Sequence, residues 1–305
     1  MGAYRHRATW RNITFNARYT DDATPRDQLA ALVSPSKVHE DYYLDEFDIN
    51  RVTTQDYREF RQFLEGAEPN EAFEGIRALT GVGKIDAPSY ARLEDMAWDL
   101  NEAFSTSGAR IAAAAADPKG VLPFDFKRDS VGGIKALRFY CRPGPGRPAW
   151  IGRAKGGLVR PYSFQLIAFD PFAYDVAETQ TALANLAGGN NTVTNPGNTY
   201  TKPKIRITFS GAGNAALALA NTTTGRTLTL NLSGTAPNPP ANGEVWIIDV
   251  RTSKMYRLSD SANRYGSRLS GFISEMFLQA GANTITWSSS TGITSVRFDF
   301  RGAYA

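Results

Sequence analysis

Few side chains that bind metals or act as nucleophiles occur in this chain, and those that do are isolated. His6 and His39 are the only histidines, and neither has a second histidine or a cysteine at the spacing of zinc ligands. Cys141 lies beside Arg138 and Arg142, whose charges would favour a thiolate, but no histidine that could orient it is near in sequence. We therefore predict no metal, no cofactor and a structural role for Cys141.

The carboxylates of the C-terminal third do not form an obvious glycosidase pair. Glu244 and Asp249 differ by an odd number of positions, so on one strand they point to opposite faces of the sheet. We predict that the chain is not an enzyme and that it has no catalytic residue.

The segment 143–157 is rich in glycine and in basic residues, as phosphate-binding loops are. It lacks the Gly-Lys-Ser or Gly-Lys-Thr ending of such a loop, and no dinucleotide-binding fingerprint fits. The sequence favours the alternative of a mobile loop or a hairpin between two strands. If a partner orders the segment, its cations would contact an acidic surface. These cations are Arg142, Arg147, Arg153 and Lys155.

Charge is divided unevenly along the 305 residues, although the net charge is only +4. Residues 40–102 hold 16 acids and 6 bases, whereas residues 127–160 hold 9 bases and 1 acid. Solvated faces would explain either segment alone, but the two signs together suit a head-to-tail interface that can close into a ring. Nucleic-acid binding stays open as a weaker alternative, because no aromatic-basic repeat accompanies the basic segment. The acidic candidates for the interface are Asp45, Glu46 and Asp48.

The N-terminal part shows the pattern of an α+β domain, with a β-sheet core and a helical insert. Residues recurring at spacings of three and four predict a helix after Ser89, which is a plausible N-cap, and a helical stretch over 56–79. The acidic run 40–49 predicts an edge strand, where charge blocks unwanted pairing. Alternating apolar residues predict further strands at 10–15, 122–126, 135–140 and 162–169.

The C-terminal part predicts an all-β sandwich of the jelly-roll kind, so that the chain is mainly β. Val245–Val250 and Lys254–Leu258 predict a hairpin, and its first strand, apolar on both faces, should be covered on both sides. Residues 176–202 have the composition of a linker. We predict two domains, a ring-forming domain at 1–175 and the sandwich at 176–305.

The C-terminal part also resembles a known family. A Tyr-x-x-Pro approach begins at Tyr200, an Asn-x-Thr-x-Gly turn at Asn221, and the ending Leu-x-x-Gly-x-Asn-x-Ile at Leu278. These motifs, with the Ile248-Asp249 strand, resemble the galectin-like C-terminal domain of the distal tail (Dit) proteins of long-tailed, siphovirus-type bacteriophages. The strand and Asp-Pro exit within 161–174 resemble the end of the family's first domain.

The resemblance implies a structural virion protein that forms a homohexameric ring through its first domain. The ring would join the tail tube to the tail tip or baseplate, dock host-attachment proteins, and let the genome pass through its channel without binding it specifically. Assembly in the host bacterial cytoplasm fits the single cysteine and the absence of an apolar run of signal-peptide length. No segment approaches the roughly 18 apolar residues of a membrane span, so no membrane insertion is expected.

Carbohydrate binding by the sandwich is the alternative function. Sugar sites expose aromatic faces beside fixed polar groups, and Trp287, Tyr256 and Tyr265 are the candidates. The sugar motif of galectins is not reproduced, and the position of Trp287 in a terminal strand favours core packing. A different tail component, such as a tube-like or minor tail protein, is a third possibility.

Overall fold

The computed structural model describes residues 6–16, 41–49, 76–105, 121–130, 133–144, 148–151, 158–184, 189–213, 216–288 and 292–305. The chain is mainly β, as the sequence predicts, and divides into two compact units, Met1–Ala173 and Tyr174–Ala305.

Eight strands and one helix make up the described part of the first unit. They are β1 (Ala8–Trp10), β2 (Ile13–Phe15), β3 (Asp41–Ile49), β4 (Arg77–Asp86), α1 (Tyr90–Ala103), β5 (Leu122–Ser130), β6 (Gly133–Pro143), β7 (Ala149–Trp150) and β8 (Val159–Ala168). Neighbouring strands run in the order β6-β5-β1-β2-β3-β4-β8, and the end of β8 pairs back onto β6. Seven strands therefore close into a barrel.

Aromatic rings fill the inside of this barrel. Phe15 stacks on Phe164 with ring centroids 5.4 Å apart, and Phe104, the residue after α1, lies 4.6 Å from the same ring. The indole of Trp10 lies 5.9 Å from Phe104 and 6.5 Å from Phe124. The end of the helix is thus packed into the same aromatic cluster as the strands.

Two glycines of β4 make room for rings on β8. Gly81 stands opposite Phe164 and Gly83 opposite Tyr162 in the β4–β8 ladder. A Cβ atom on Gly81 would lie 2.4 Å from the Phe164 ring, and one on Gly83 would lie 1.8 Å from the carbonyl oxygen of Tyr43. The missing side chain of Gly81 therefore makes room for the Phe164 ring, and that of Gly83 allows the close approach of the β3 backbone.

Helix α1 begins at the predicted cap, because the Ser89 hydroxyl accepts a hydrogen bond of 3.2 Å from the backbone N–H of Arg92. Hydrogen bonds to backbone carbonyls also hold the helix against the strands. The indole N–H of Trp10 donates to the Ala103 carbonyl at 2.9 Å, and the Tyr42 hydroxyl donates to the Met96 carbonyl at 3.2 Å. Its buried face consists of Leu93, Met96, Ala97, Leu100 and Ala103.

The second unit is a sandwich of two five-stranded sheets. One sheet has the order β10-β19-β12-β15-β16 and the other β11-β18-β13-β14-β17. The pairs β10–β19, β11–β18, β12–β15 and β13–β14 nest inside one another, which is the pairing of a jelly roll. The strands of the two sheets are β10 (Thr179–Ala182), β11 (Asn191–Asn195), β12 (Lys204–Phe209), β13 (Ala216–Asn221), β14 (Arg226–Asn231), β15 (Val245–Asp249), β16 (Lys254–Arg257), β17 (Arg268–Ser270), β18 (Gly281–Trp287) and β19 (Ile293–Phe300). Two short strands, β9 (Ala173–Asp175) and β20 (Ala303–Tyr304), lie outside these two sheets.

The predicted central hairpin is confirmed as β15 and β16, and Trp246, Ile247 and Ile248 are all buried. The predicted linker is wrong, because residues 176–202 contain β10 and β11. Both are edge strands of mainly polar residues, and they pair with β19 and β18 respectively. They therefore contain few of the apolar residues from which a strand is predicted.

Three predictions for the first unit also need correction. The predicted strand 10–15 is a hairpin, β1 and β2, which turns where Arg11 adopts a φ of 51°. The acidic strand β3 is not an edge, because it lies between β2 and β4. Residues 56–75 of the predicted helical stretch lie outside the described residues. Leu79 belongs to strand β4, in which two inward positions are glycines and the apolar alternation is therefore hidden.

No helix of the described residues is long and apolar enough to cross a membrane. The galectin-like likeness of the sandwich and the α+β description of the first unit remain predictions.

Substitution of Gly83 by alanine tests the packing of the barrel. The new Cβ would collide with the Tyr43 carbonyl, and we expect a loss of about 1–3 kcal/mol in the free energy of unfolding. Differential scanning calorimetry of the full chain measures it. Gly234→Ala is the control, since no atom lies within 4 Å of its Cβ position. Equal stability of the two variants would contradict the close approach of Gly83 to the Tyr43 carbonyl of β3.

Candidate functional site

Four basic residues are predicted at the interface, and the structure describes one of them, Arg142. The other three, Arg147, Arg153 and Lys155, lie outside the described residues. Arg142 is exposed near the end of β6, and its guanidinium lies 4.3 Å from the centroid of the Phe169 ring. Phe169 is 44% exposed. An exposed cation packed on an exposed ring is a suitable contact for an acidic, partly apolar partner surface.

The predicted acidic residues lie on a different part of the barrel. Asp45, Glu46 and Asp48 belong to β3, where a bulge at Asp45 interrupts the pairing with β4. Glu46 is exposed and the other two are half-buried. In the closed barrel, β3 and β6 are separated by two strands in one direction and three in the other. Arg142, the basic candidate that the structure describes, is therefore not brought together with these acids within one copy.

An acidic surface that the sequence did not single out lies on α1. Trp98 is 72% exposed in the middle of the helix, and Asp95 and Glu102, three and four residues away, are exposed on the same side. Glu94 flanks them and pairs with Arg160 at 3.1 Å. We call Glu94, Asp95, Trp98 and Glu102 the α1 outer face. The sequence did contain a signal for this surface. Trp98 lies three or four residues from acidic residues and outside the apolar positions of the helix.

Two described groups of the first unit that could do chemistry are buried or paired, namely Cys141 and Arg138. Burial raises the pKa of the Cys141 thiol well above its ordinary value, which opposes a nucleophilic role. Arg138 donates two hydrogen bonds of 2.6 and 2.7 Å to Asp125, and this pairing raises the pKa of the guanidinium. Within the residues that the structure describes, no three His, Cys, Asp or Glu side chains come together as metal ligands.

The carboxylates weighed for hydrolysis have structural partners in the second unit. Glu244 accepts hydrogen bonds from the Trp246 indole at 2.7 Å and from two guanidinium nitrogens of Arg264 at 3.0 Å. Asp249 accepts from the backbone N–H groups of Arg251 and Thr252 at 3.0 and 3.1 Å, and so caps the turn after β15. Both carboxylates therefore form hydrogen bonds that stabilise the second unit.

Of the three aromatic candidates for sugar contact, the structure brings two together. Tyr256 and Tyr265 line an open cleft of about 680 Å³ beside β16. Trp287 is only 2% exposed and belongs to the sandwich core, so its ring cannot serve as a sugar-binding face. The inward alternation of β18 decides this, as Ile285 and Trp287 both face the core. The other lining residues are Asp249, Thr252, Ser253, Lys254, Met255, Ser261 and Asn263.

No protein-family model matches the chain, and no curated protein matches it by sequence. A comparison with solved structures does find a match, the crystal structure of the SPP1 Dit (gp 19.1) protein, described as a paradigm of hub adsorption apparatus in Gram-positive infecting phages. The TM-score is 0.52 at 14% identity, over 88% of this chain and 93% of that chain. The fold is similar to that of SPP1 Dit.

A second structure, the phage P2 baseplate in its activated conformation with Ca, matches with a TM-score of 0.38 and 6% identity, over 88% of this chain and 89% of that chain. At that score it carries no argument. The match to SPP1 Dit, at 14% identity, shows a shared fold and nothing finer.

Glu244 makes the stability of the second unit depend on pH. Burial alone would raise its pKa, but the hydrogen bonds from Trp246, the Ala241 N–H and Arg264 outweigh burial and lower it. A carboxylate with a lowered folded pKa stabilises the fold above its unfolded pKa of about 4.3. This contribution is lost as the pH falls through the folded pKa.

We expect Glu244→Gln to lower the free energy of unfolding by about 1–3 kcal/mol at pH 7, since a buried charged acceptor is lost. The difference from the wild-type chain should shrink below pH ~4. Urea unfolding of the full chain between pH 3 and 7 measures both effects. Glu178→Gln, at an exposed position of the same unit, is the control. A difference that does not change with pH would contradict the role assigned to the Glu244 charge.

Proposed function

We propose that the chain is a structural protein of a siphovirus-type bacteriophage tail, a distal tail protein. Six copies would close into a ring through the first unit, and the ring would join the tail tube to the tail tip or baseplate. The observation that carries this proposal is the fold shared with SPP1 Dit over 88% of the chain. The number six rests on the family resemblance of the sequence alone.

Separate faces of opposite charge support assembly of the first unit into a ring. A closed ring needs head-to-tail contacts, in which two different surfaces of each copy meet. The α1 outer face and the β3 acids supply one sign, and Arg142 with Phe169 supplies the other on a different strand. Tryptophan and arginine are also the side chains that most often carry the binding energy of an interface.

The role is mechanical, and the proposed partners are proteins. The tail tube protein, the tail-tip or baseplate hub and the receptor-binding proteins would dock on the ring, with the second unit as a docking module. The genome would pass through the channel without specific binding. The protein would act in the virion at the tail tip, after assembly in the host bacterial cytoplasm. Structural use of Glu244, Asp249 and Cys141 supports a role without catalysis.

Ring closure predicts a defined mass and shape for the purified chain. We expect native mass spectrometry to give six copies and negative-stain images to show closed rings. Stacked tubes would favour a tube-like tail protein. A chain that stays monomeric at every concentration and salt would overturn the ring.

Substitutions on the α1 outer face test the interface. We expect Trp98→Ala to weaken ring formation by roughly 2 kcal/mol per contact, about 30-fold, because an exposed indole would lose its partner. Tyr90→Ala is the matched control, as this ring is 63% exposed at the first residue of the same helix, about two turns before Trp98. Light scattering across a dilution series measures the effect. If both variants dissociate to the same extent, the α1 outer face is not part of the interface.

Charge reversal at the basic residues tests the complementary side. Changing Arg142, Arg147, Arg153 and Lys155 to glutamate should weaken the ring most at low salt, where repulsion is least screened. Analytical ultracentrifugation at two salt concentrations measures the change, with Lys254→Glu, an exposed cation of the second unit, as control. An unchanged oligomer size would contradict the electrostatic contact.

A further inference from the structure

The cleft beside β16 has the size and lining of a small-ligand site. Its volume of about 680 Å³ lies within the usual range for such sites, about 300–1,000 Å³. Tyr256 and Tyr265 contribute ring surfaces, while Ser253, Ser261 and Asn263 contribute hydroxyl and amide groups. The guanidinium of Arg268 lies 4.9 Å from the Tyr265 ring centroid and helps to hold that ring in place.

The wall of the cleft is held by its own hydrogen bonds. Arg257 forms a two-fold ion pair with Asp260, and the same carboxylate accepts a bond of 3.0 Å from the N–H of Ala262. The backbone of Ser261 donates to the Arg257 carbonyl at 2.9 Å. A wall already ordered loses little conformational freedom when a ligand binds, which favours affinity.

Two serines of the lining have the left-handed backbone conformation. Ser253 has a φ of 55° and Ser261 a φ of 59°, values that glycine or asparagine adopts at lower cost. Both serines belong to the lining of the cleft. Unfavourable backbone conformations of this kind concentrate at ligand sites.

The edge of β16 is closed to a peptide strand. The Met255 carbonyl accepts a hydrogen bond of 2.8 Å from the N–H of Arg264, and the N–H of Arg257 donates to the Ala262 carbonyl at 2.8 Å. The following loop therefore occupies the outward groups of the edge strand, so a peptide cannot add to the sheet there. A ligand must bind through the side chains that line the cleft.

We propose that this cleft binds an oligosaccharide. Pyranose rings present weakly apolar C–H faces that pack on aromatic rings, and hydroxyls that exchange hydrogen bonds with serine and amide groups. The charged lining residues Asp249 and Lys254 stand opposite each other on β15 and β16, so the cleft has no excess charge and suits a neutral or weakly acidic sugar chain. The site is independent of the ring proposed above.

The test uses the full chain on an array of bacterial surface oligosaccharides, with lipopolysaccharide O-antigens and Gram-positive wall polysaccharides in separate sets. We expect binding to at least one set, weakened tenfold or more by Tyr256→Ala and by Tyr265→Ala. Tyr200→Ala is the matched control, since this tyrosine of the same unit is 42% exposed, against 39% for Tyr265, and lies outside the cleft. Unfolding temperatures identify any variant that fails to fold. Tyr265→Phe keeps the aromatic side chain and removes only its hydroxyl, so it should retain the packing on the sugar.

Absence of binding to every glycan, or binding that both tyrosine variants retain, would overturn the proposal. Native mass spectrometry of the same preparations separates this outcome from failure of the proposed function. If the protein forms a closed ring but binds no glycan, only the proposal for the cleft is wrong. A monomer that binds glycan through Tyr256 and Tyr265 would support the cleft and overturn the ring.

Discussion

The first unit depends on the packing of Phe104 into the aromatic cluster of the barrel. Its ring lies 4.6 Å from Phe164 and 5.9 Å from Trp10, and the Trp10 indole N–H donates to the last carbonyl of the helix. The helix continues this apolar packing along one face, where Leu93, Met96, Ala97, Leu100 and Ala103 are buried, so the opposite face with Trp98 lies on the surface. The packing that fills the barrel thus also orients the proposed ring surface.

The second unit uses its polar groups in two different ways. Glu244 and Asp249 have structural partners, Arg264 and the N–H groups of the turn after β15. The hydroxyls and amide beside β16, in contrast, line an open cleft with two tyrosines. Buried charges that are paired stabilise a fold, whereas ordered polar groups at an accessible surface are suited to binding. The polar groups of the cleft are therefore the ones available to the proposed ligand.

Parts of the fold could be predicted because local rules decide them. Ser89 and the apolar spacing after it define α1, and the apolar run Trp246–Ile248 defines a strand buried on both faces. Strand β4 escaped prediction because Gly81 and Gly83 occupy its inward positions, where only the rings of the neighbouring strand show that the face is buried. Strands β10 and β11 were not predicted because they are edge strands of mainly polar residues and show no alternation of apolar residues.

The sequence by itself determined the mainly β character, the helix after Ser89, the central hairpin and the separation of acidic from basic segments, since each depends on residues close together in the chain. Only the tertiary structure decided that seven strands close into a barrel, that Trp287 is core, that Trp98 is exposed among acids, and that Tyr256 and Tyr265 share a cleft. The physical reason is that these outcomes depend on pairing between strands far apart in sequence, and on which partner covers each face.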